Sequence, residues 1–413
     1  MPHPIPVPVR QLIVQRAAQG QCAGWIARSL GLVARSVRQM LQRFRVHGPN
    51  ALAPSYPSRP YPHPPQFRAL IEEALLLRRA HPTWGAGLVR VLLRRHYPAE
   101  VIPAQRTLQR WFRRAGLLPA PSGRRSGASS YQRAQQPHDV WQMDAADQVA
   151  LQNGTPVCWL RIADECSGAV LETTVFPLAY WHAVPAAQVQ AVLRRVFRRW
   201  GRPRRLRLDN GIPWGAMVDL PSELTLWLLG LDLGITFNPP RRPQDNGVIE
   251  RSQGTGKRWA EPGACANAQE LQRRLQDMDV IQREEYPSLR GRSRVAVYPG
   301  LKHSGRAYSR PWERQHWRLD LVLEHLAGYA VARQVDSAGS VSVYNKTSYV
   351  GKCSTGKMVY VSVDPLRGEW LFRDVQGNQV RTQPAEQLCR ERIVTLMVSD
   401  RRQRSGRSNH VSG

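Results

Sequence analysis

Residues 205–215 read RLRLDNGIPWG and residues 241–259 read RRPQDNGVIERSQGTGKRW, and WQMDAAD precedes both at residues 141–147. Each stretch contains one carboxylate of interest: Asp144, Asp209 and Glu250. Mg²⁺ prefers oxygen ligands and keeps several of its waters, so two or three carboxylates suffice to hold it. Such an ion activates a hydroxyl group and neutralises charge on the leaving oxygen of a phosphodiester. In a strongly basic chain, these carboxylates predict metal-dependent chemistry on nucleic acid.

The apolar runs around the three carboxylates predict a mixed α/β unit. The period-2 pattern indicates three strands connected as a meander over residues 138–176. Helical spacing follows at residues 182–200. The expected elements after it are a short strand ending at Asp209, a helix at 222–233, a strand at 234–238 and a helix that opens near Asn246. Each carboxylate would therefore be presented by a different element.

This order of elements, with the WxxD, LDNG and PxxNGxxER-K motifs, resembles the catalytic core of the DDE transposases and retroviral-type integrases. The resemblance spans about residues 138–260. It implies a ribonuclease H-like fold with a mixed five-stranded sheet. In that family the three carboxylates are the catalytic and metal-binding residues, for two Mg²⁺ or Mn²⁺ ions. Asp144, Asp209 and Glu250 match those positions.

Lys257 lies seven residues after Glu250, two helical turns on, and so shares its helix face. The chain has five lysines among 59 basic residues, and Lys257 is the only one before Lys302. In the family that the chain resembles, a lysine at this place contacts the DNA end. We expect Lys257, with Asn246 at the start of the helix, to bind DNA.

The spacing of the three carboxylates departs slightly from the family, and other acids lie in the same region. Forty residues separate Asp209 from Glu250, a few more than is common in the family, and a longer loop before the helix at 222–233 would account for them. The other acids of the core are Asp147, Asp164, Asp219, Asp232 and Asp245. Asp147 and Asp164 are the nearest rivals, and we expect both to be strand-end or turn residues.

The charge of the chain indicates a nucleic-acid partner. Its 413 residues are too many for one domain, and they carry 59 basic and 31 acidic side chains, a formal +28 that is typical of proteins that bind nucleic acid. The longest apolar run is too short to cross a bilayer. No signal-peptide pattern opens the sequence, and the six cysteines form no CxxC pair, so we expect an intracellular protein without membrane partners, associated with the nucleoid if prokaryotic.

The first 135 residues carry 21 arginines and three acids, and they predict two helical DNA-binding modules. Residues 9–48 have a helix-turn-helix pattern, and in such modules one helix enters the major groove. A second module, at residues 66–118, resembles the second helix-turn-helix or winged module of the same transposases. An ordinary helical hairpin with a solvated face is the alternative for each. The candidate DNA contacts are Arg35, Arg38, Gln39, Gln42, Arg43, Arg106 and Arg110.

The remaining segments complete a multidomain architecture. Short strand-like runs at the C-terminal end predict a small β-barrel. The expected boundaries are a proline-rich linker at 49–65, a second linker at 119–137, the integrase-like core at 138–262, a helical connector at 263–335, the barrel at 336–395 and a basic, disordered tail at 396–413.

These observations predict a DNA transposase that nicks the ends of its element and joins the 3′-hydroxyls to target DNA. The expected partner is double-stranded DNA, bound by a homo-multimer on paired ends. Two alternatives remain open on sequence grounds: a ribonuclease H-like nuclease, and a catalytically inactive DNA-binding regulator derived from a transposase.

Overall fold

A computed structural model describes residues 5–53, 65–117, 133–208, 211, 219–238 and 246–399. Side chains within the helix that begins at residue 65 are described from Phe67 onward. The chain divides into two compact units, Met1–Arg68 and Ala69–Gly413. Asp209, most of both expected linkers and most of the expected basic tail lie outside the described residues.

The first unit contains the three N-terminal helices that the sequence predicts: α1 (Val7–Ala18), α2 (Ala23–Ser29) and α3 (Ala34–His47). Their apolar faces meet in a small core around the fully buried Ile13, Ile26 and Val37. Gly48 ends α3 at a φ of 60°, a left-handed conformation that glycine adopts without a steric penalty.

The second unit is organised around a five-stranded sheet in the order β3-β2-β1-β4-β5. Its strands are β1 (Val140–Ala150), β2 (Pro156–Asp164), β3 (Val170–Phe176), β4 (Arg205–Leu208) and β5 (Gly234–Phe237). The first three pair antiparallel as the predicted meander, and β4 and β5 run parallel to β1. The predicted mixed five-stranded α/β sheet is confirmed.

The two faces of this sheet differ in chemistry. Trp141 and Met143 on β1 contribute to the large apolar core together with α7 (Ala186–Trp200) and α8 (Glu223–Gly230). Side chains alternate along a strand, so Gln142, Asp144 and Ala146 point to the other face. That second face carries α9 (Gly247–Ala260) and α10 (Ala268–Val280), which contact β1, β2 and β3.

Three further helices pack against α9 and α10: α4 (Pro65–Ala80), α5 (Ala86–Leu93) and α6 (Gln105–Arg114). Leu88, Leu108 and Phe112 share an apolar core with Met278 and Ile281, and Ile281 opens a π-helical turn that follows α10. The indole Nε1 of Trp84 donates to the carbonyl of Trp259 at 2.9 Å. These helices are therefore joined to the five-stranded sheet through the end of α9.

The C-terminal region differs from the predicted barrel. Four strands form one sheet in the order β11-β10-β9-β6, and β7 and β8 form a separate hairpin. The strands are β6 (Val331–Gln334), β7 (Ser340–Val343), β8 (Lys346–Tyr349), β9 (Met358–Asp364), β10 (Glu369–Arg373) and β11 (Gln379–Pro384). In the described residues these pairings leave β11 and β6 as open edges.

The apolar face of this sheet is covered by helices, which explains why it need not close on itself. Val361, Val363 and Phe372 belong to the same apolar core as Leu323 and Leu326 of helix α13. The helices of this region are α11 (Arg294–Val297), α12 (Arg310–His316), α13 (Leu319–Ala327) and α14 (Arg390–Val394). Among all the described residues, no helix is both long and apolar enough to cross a membrane.

Candidate active site

Asp144 lies in the middle of β1, on the face of the sheet that carries α9. Its Cα is paired with that of Arg161 on β2. Residues directly opposite each other in an antiparallel pair share a face, so Asp144 and Arg161 point the same way. Asp144 is half-buried, which leaves part of its surface open to solvent.

Two glutamines join β1 to the first turns of α9. The Oε1 of Gln142 accepts from the backbone N–H of Ile249 at 3.1 Å, and its Nε2 donates to the buried carboxylate of Glu165 at 2.8 Å. Gln253 donates from Nε2 to the backbone carbonyl of Asp144 at 3.1 Å, with a longer contact of 3.5 Å to Asp144 Oδ2. Strand β1 and helix α9 are therefore in fixed register.

The amide of Gln253 is itself oriented by a neighbour. The indole Nε1 of Trp159 donates to Gln253 Oε1 at 2.5 Å, and both side chains are buried. Because Trp159 can only donate, it must face the amide oxygen of Gln253, and the amide nitrogen of Gln253 then faces Asp144. The hydrogen-bond partners therefore determine which end of the amide is oxygen and which is nitrogen. Gln253 thereby connects the helix to the Asp144 backbone and carboxylate.

A buried ion pair holds the middle of α9 to the sheet. Arg161 donates to the carbonyl of Ser252 at 2.7 Å and to Asp279 Oδ1 at 3.0 Å, and Thr173 donates to Asp279 Oδ2 at 2.5 Å. Burial raises the pKa of the Asp279 carboxyl, and the nearby Arg161 opposes that rise. Gly256 lies against this guanidinium, because a Cβ there would be 2.5 Å from Arg161 Nη2. Only glycine allows so close an approach.

Glu250 and Lys257 are exposed on α9, three residues before and four residues after Gln253, so they flank Gln253 on the helix surface. The contacts of Ile249, Ser252 and Gln253 turn the buried face of the helix toward the sheet, which leaves these two charged side chains in solvent. Asn246 is the N-cap residue of α9 and is buried, and its Oδ1 has no hydrogen-bond donor among the described residues. The structure therefore exposes two of the three residues that the sequence predicts on this helix.

The third predicted carboxylate, Asp209, lies outside the described residues. It follows directly in sequence after Leu208, the last residue of β4. Strand β4 runs parallel to β1, with Arg207 paired to Gln142, two residues before Asp144. Among the described residues no group of three or more His, Cys, Asp or Glu side chains is placed to hold a metal ion. The described ligand candidates, Asp144 and Glu250, offer only oxygen atoms, which suit Mg²⁺ or Mn²⁺ rather than a softer metal.

The two rival carboxylates have structural partners. Asp164 ends β2, is fully buried, and accepts from the backbone N–H of His138 at 2.7 Å and from Ser167 at 2.8 Å. Burial raises the pKa of Asp164, against the effect of these hydrogen bonds. Asp147 accepts from the backbone N–H of Trp181. Both carboxylates are thus used to fix turns.

The seven DNA-contact residues predicted in the two N-terminal modules are all exposed, on two helices. Arg35, Arg38 and Gln39 lie on the outer face of α3, together with Gln42 and Arg43. On α6 the exposed face lines a shallow groove formed by Gln105, Arg106, Gln109, Arg110 and Arg113. Each helix therefore presents a basic, solvent-facing surface.

The residues that support this site have no strong signal in the sequence. Gln142, Gln253 and the Arg161–Asp279 pair are polar side chains of common type, and the Gln253–Asp144 contact spans 109 residues. The available signals were weak: Gln142 lies two positions before Asp144 on a strand, and Gln253 lies one helical turn after Glu250. Only the packing of α9 on β1 turns those spacings into contacts.

The chain matches no family model. It is similar to several solved structures. One is the catalytic core domain of BIV integrase, at 22% identity and a TM-score of 0.31 over 41% of this chain and 98% of that chain. Another is the HTLV-2 integrase catalytic core domain in complex with magnesium, at 15% identity and a TM-score of 0.31 over 41% of this chain and 100% of that chain. A third is the simian T-cell lymphotropic virus intasome in complex with PP2A regulatory subunit B56 gamma, at 17% identity and a TM-score of 0.34 over 57% and 76%.

Proposed function

We propose that the chain is a DNA transposase, which nicks the ends of a mobile element and joins the resulting 3′-hydroxyls to target DNA. The observation that carries this proposal is the hydrogen bonding of β1 to α9 through Gln253. It holds the strand that bears Asp144 against the helix that exposes Glu250 and Lys257. A carboxylate pair on adjacent elements, next to an exposed lysine, suits a reaction at a polyanion.

Asp209 is proposed as the third carboxylate. Its support is its place in the sequence, one residue beyond the end of β4, and the parallel pairing of β4 with β1. When bound, divalent Mg²⁺ or Mn²⁺ would lower the pKa of a hydroxyl nucleophile and offset charge on the leaving oxygen. Asp144, Asp209 and Glu250 would hold two such ions.

The remaining residues would position the DNA. Lys257 would pair with a phosphate of the element end, while Gln253 restrains the Asp144 carboxylate. In the first step water attacks the phosphodiester, breaks the bond to the 3′ oxygen and leaves a free 3′-hydroxyl. In the second step that hydroxyl attacks a target phosphodiester, forms a new P–O bond and releases a target 3′-hydroxyl. Neither step needs a covalent bond to the protein.

The exposed basic faces of α3 and α6 are proposed to bind duplex DNA of the element end. Arg35, Arg38 and Arg43 on α3, and Arg106 and Arg110 on α6, would contact phosphates or base edges. Joining two ends to one target requires two active sites, so a homo-multimer is proposed as the active form.

The test uses purified full-length chain, labelled duplexes made from the DNA that flanks its gene on each side, and a supercoiled target plasmid. Reactions contain Mg²⁺, Mn²⁺ or EDTA. Asp209→Asn and Glu250→Gln are compared with Glu324→Gln, an exposed glutamate on α13, as the matched control. We expect metal-dependent nicking and joining by the wild type and the control, and loss of both activities in the two site variants.

Each other outcome contradicts the proposal in a distinct way. Metal-dependent cleavage of the duplexes without joining would favour a ribonuclease H-like nuclease. Binding of the flanking DNA by all variants, with neither activity in the wild type, would favour a DNA-binding regulator. Joining that survives Glu250→Gln would remove Glu250 from the site.

A further inference from the structure

A cavity of about 410 Å³ lies at the edge of the sheet away from the candidate active site. It is formed where β1, β4 and β5 begin, and its lining includes Arg202, Arg204 and Arg306. Asp139, at this edge, is five residues before Asp144 on the same chain segment, which corresponds to about 16 Å along a strand. The volume lies within the usual range for small-molecule sites.

Arg202 is the unusual member of this lining, because it is only 7% exposed and has no carboxylate partner among the described residues. Its Nη1 donates to the carbonyl of Leu231, and its guanidinium stacks 3.7 Å from the ring centroid of Trp312. Its Nε is buried and finds no acceptor in the described part of the chain. A buried charge without a counterion is costly, so an anion beside it would be stabilised.

The two carboxylates that line the cavity form ion pairs with other arginines. The backbone carbonyl of Asp232 and one of its carboxylate oxygens accept from Arg306, at 2.7 Å and 2.6 Å. Asp139 lies 3.4 Å from the Nε of Arg204. Burial and the nearby charge of Arg306 together lower the pKa of Arg202 to about 10, although Asp232 acts in the opposite direction. Arg202 therefore remains charged at neutral pH.

His138 also lines the cavity, but its ring is already used. Its Nε2 lies 3.1 Å from the carbonyl of Leu301, and its Nδ1 accepts from the indole of Trp141 at 3.0 Å. Burial lowers the pKa of His138, which keeps the ring neutral at pH 7. Three arginines against two aspartates leave the lining with one positive charge, three minus two.

We propose that this cavity is an oxyanion site that binds a phosphate group through Arg202 and Arg204. Arg202 provides a buried cation without a counterion, and Arg204, whose side chain is 77% exposed, provides a second guanidinium at the mouth. Guanidinium groups bind phosphate oxygens through paired N–H donors. The phosphate would belong either to a DNA backbone or to a free ion. The proposal does not depend on the strand-joining activity.

The first experiment measures the melting temperature in sodium phosphate and in sodium chloride of equal ionic strength. Arg204→Gln removes an exposed donor with little risk to folding. Gly234→Glu places a carboxylate in the lining, and its Cβ would meet the nearest atoms, of Arg205 and Arg204, at the ordinary contact distances of 3.4 and 3.5 Å. Arg273→Gln, an exposed arginine on α10 outside the cavity, is the control.

We expect phosphate at tenfold its Kd to raise the melting temperature of the wild type and of Arg273→Gln by roughly 1–3 °C more than chloride does. Arg204→Gln should lose at least half of this increment and Gly234→Glu all of it. Glu250→Gln should keep it, because the candidate active site is separate. A wild type that melts alike in the two salts, or an undiminished increment in both cavity variants, would overturn the proposal.

A second experiment identifies the source of the phosphate. Binding of a random-sequence duplex is measured over a salt series for the wild type, Arg204→Gln and Arg273→Gln. If a DNA phosphate occupies the cavity, the slope of the logarithm of the DNA association constant against the logarithm of the salt concentration decreases in magnitude by about one for Arg204→Gln, and not for Arg273→Gln. An unchanged slope, with the phosphate increment lost, assigns the site to a free phosphate group.

Discussion

Replacement of Gln253 by leucine should uncouple α9 from the Asp144 strand. Leucine has a similar volume, so the packing of the helix is kept and no large cavity forms. The buried indole N–H of Trp159 loses its acceptor at 2.5 Å, and the Asp144 carbonyl loses a donor at 3.1 Å. A buried unsatisfied donor costs about 1–3 kcal/mol and a lost hydrogen bond about 1 kcal/mol. We expect the free energy of unfolding to fall by about 2–4 kcal/mol.

Gln190→Leu is the matched control for this change. Gln190 is also a buried glutamine with two side-chain hydrogen bonds, donating to the Val394 carbonyl at 3.0 Å and accepting from Arg194 at 2.7 Å, but it lies on α7 across the sheet. Both variants should lose stability by urea denaturation. Only Gln253→Leu should also lose metal-dependent joining per folded molecule, because Gln253 bonds to Asp144 whereas the bonds of Gln190 go to Val394 and Arg194.

Gln253→Glu separates the two contacts of Gln253. A glutamate keeps the acceptor for Trp159 but removes the donor to Asp144 and adds a second negative charge beside it. Its stability should fall less than that of Gln253→Leu, while joining should fall at least as far. The reasoning is refuted if Gln253→Leu unfolds within 0.5 kcal/mol of the wild type, about the scatter of a neutral substitution, or if it loses no more joining than Gln190→Leu.

Three further predictions concern stability, each measured by urea denaturation. Asp279→Leu should lower the free energy of unfolding by about 3–5 kcal/mol, because it leaves the buried Arg161 without its ion-pair partner. Adding Arg161→Met should recover most of that loss, and a double variant whose effects simply add would contradict this. Gly256→Ala should lower the free energy of unfolding by about 1–3 kcal/mol, because the added Cβ collides with Arg161. A more stable variant would mean that the higher helix propensity of alanine outweighs this collision. Burial acts to raise the pKa of Glu313, but hydrogen bonds from Arg194, Tyr308 and Trp227 lower that pKa overall. The ionised carboxylate therefore stabilises the fold fully above about pH 4.3, the ordinary pKa of a glutamate, and this stabilisation is lost as the pH falls through the lowered pKa. In the Glu313→Gln variant the free energy of unfolding should therefore fall less steeply as the pH becomes acidic. A fall as steep as that of the wild type would refute that account.

The sequence predicted the elements of the core because their patterns are local. Alternating apolar residues gave β1, β2 and β3, and the helical spacing of Val189, Val192 and Val196 gave α7. A helix that opens near Asn246 is also expected from the sequence, and the structure begins it at Gly247, with Asn246 as its N-cap. Such patterns depend only on residues close together in the sequence, so they can be recognised before the fold is known.

The C-terminal region shows what local signals cannot give. The strands of β7 to β11 were predicted, but β6 lies within the segment expected to be a helical connector, and its pairing with β9 links residues 331 and 361. Whether a set of strands closes into a barrel depends on what covers its apolar face. Here Leu323 and Leu326 of α13 cover it, and no pattern within the strands records that partner.

The attachment of α9 explains why its exposed residues can have a defined geometry. A helix that carries Glu250 and Lys257 in solvent gains nothing from those side chains that would fix its position. Its position is instead determined at both ends by backbone contacts, from Gln142 to the N–H of Ile249 at the first turn and from Trp84 to the carbonyl of Trp259 at the last. Each backbone group has one location on the helix, so these bonds set rotation and translation together. The buried polar residues beneath α9 therefore position the helix, and the exposed Glu250 and Lys257 are not needed for that purpose.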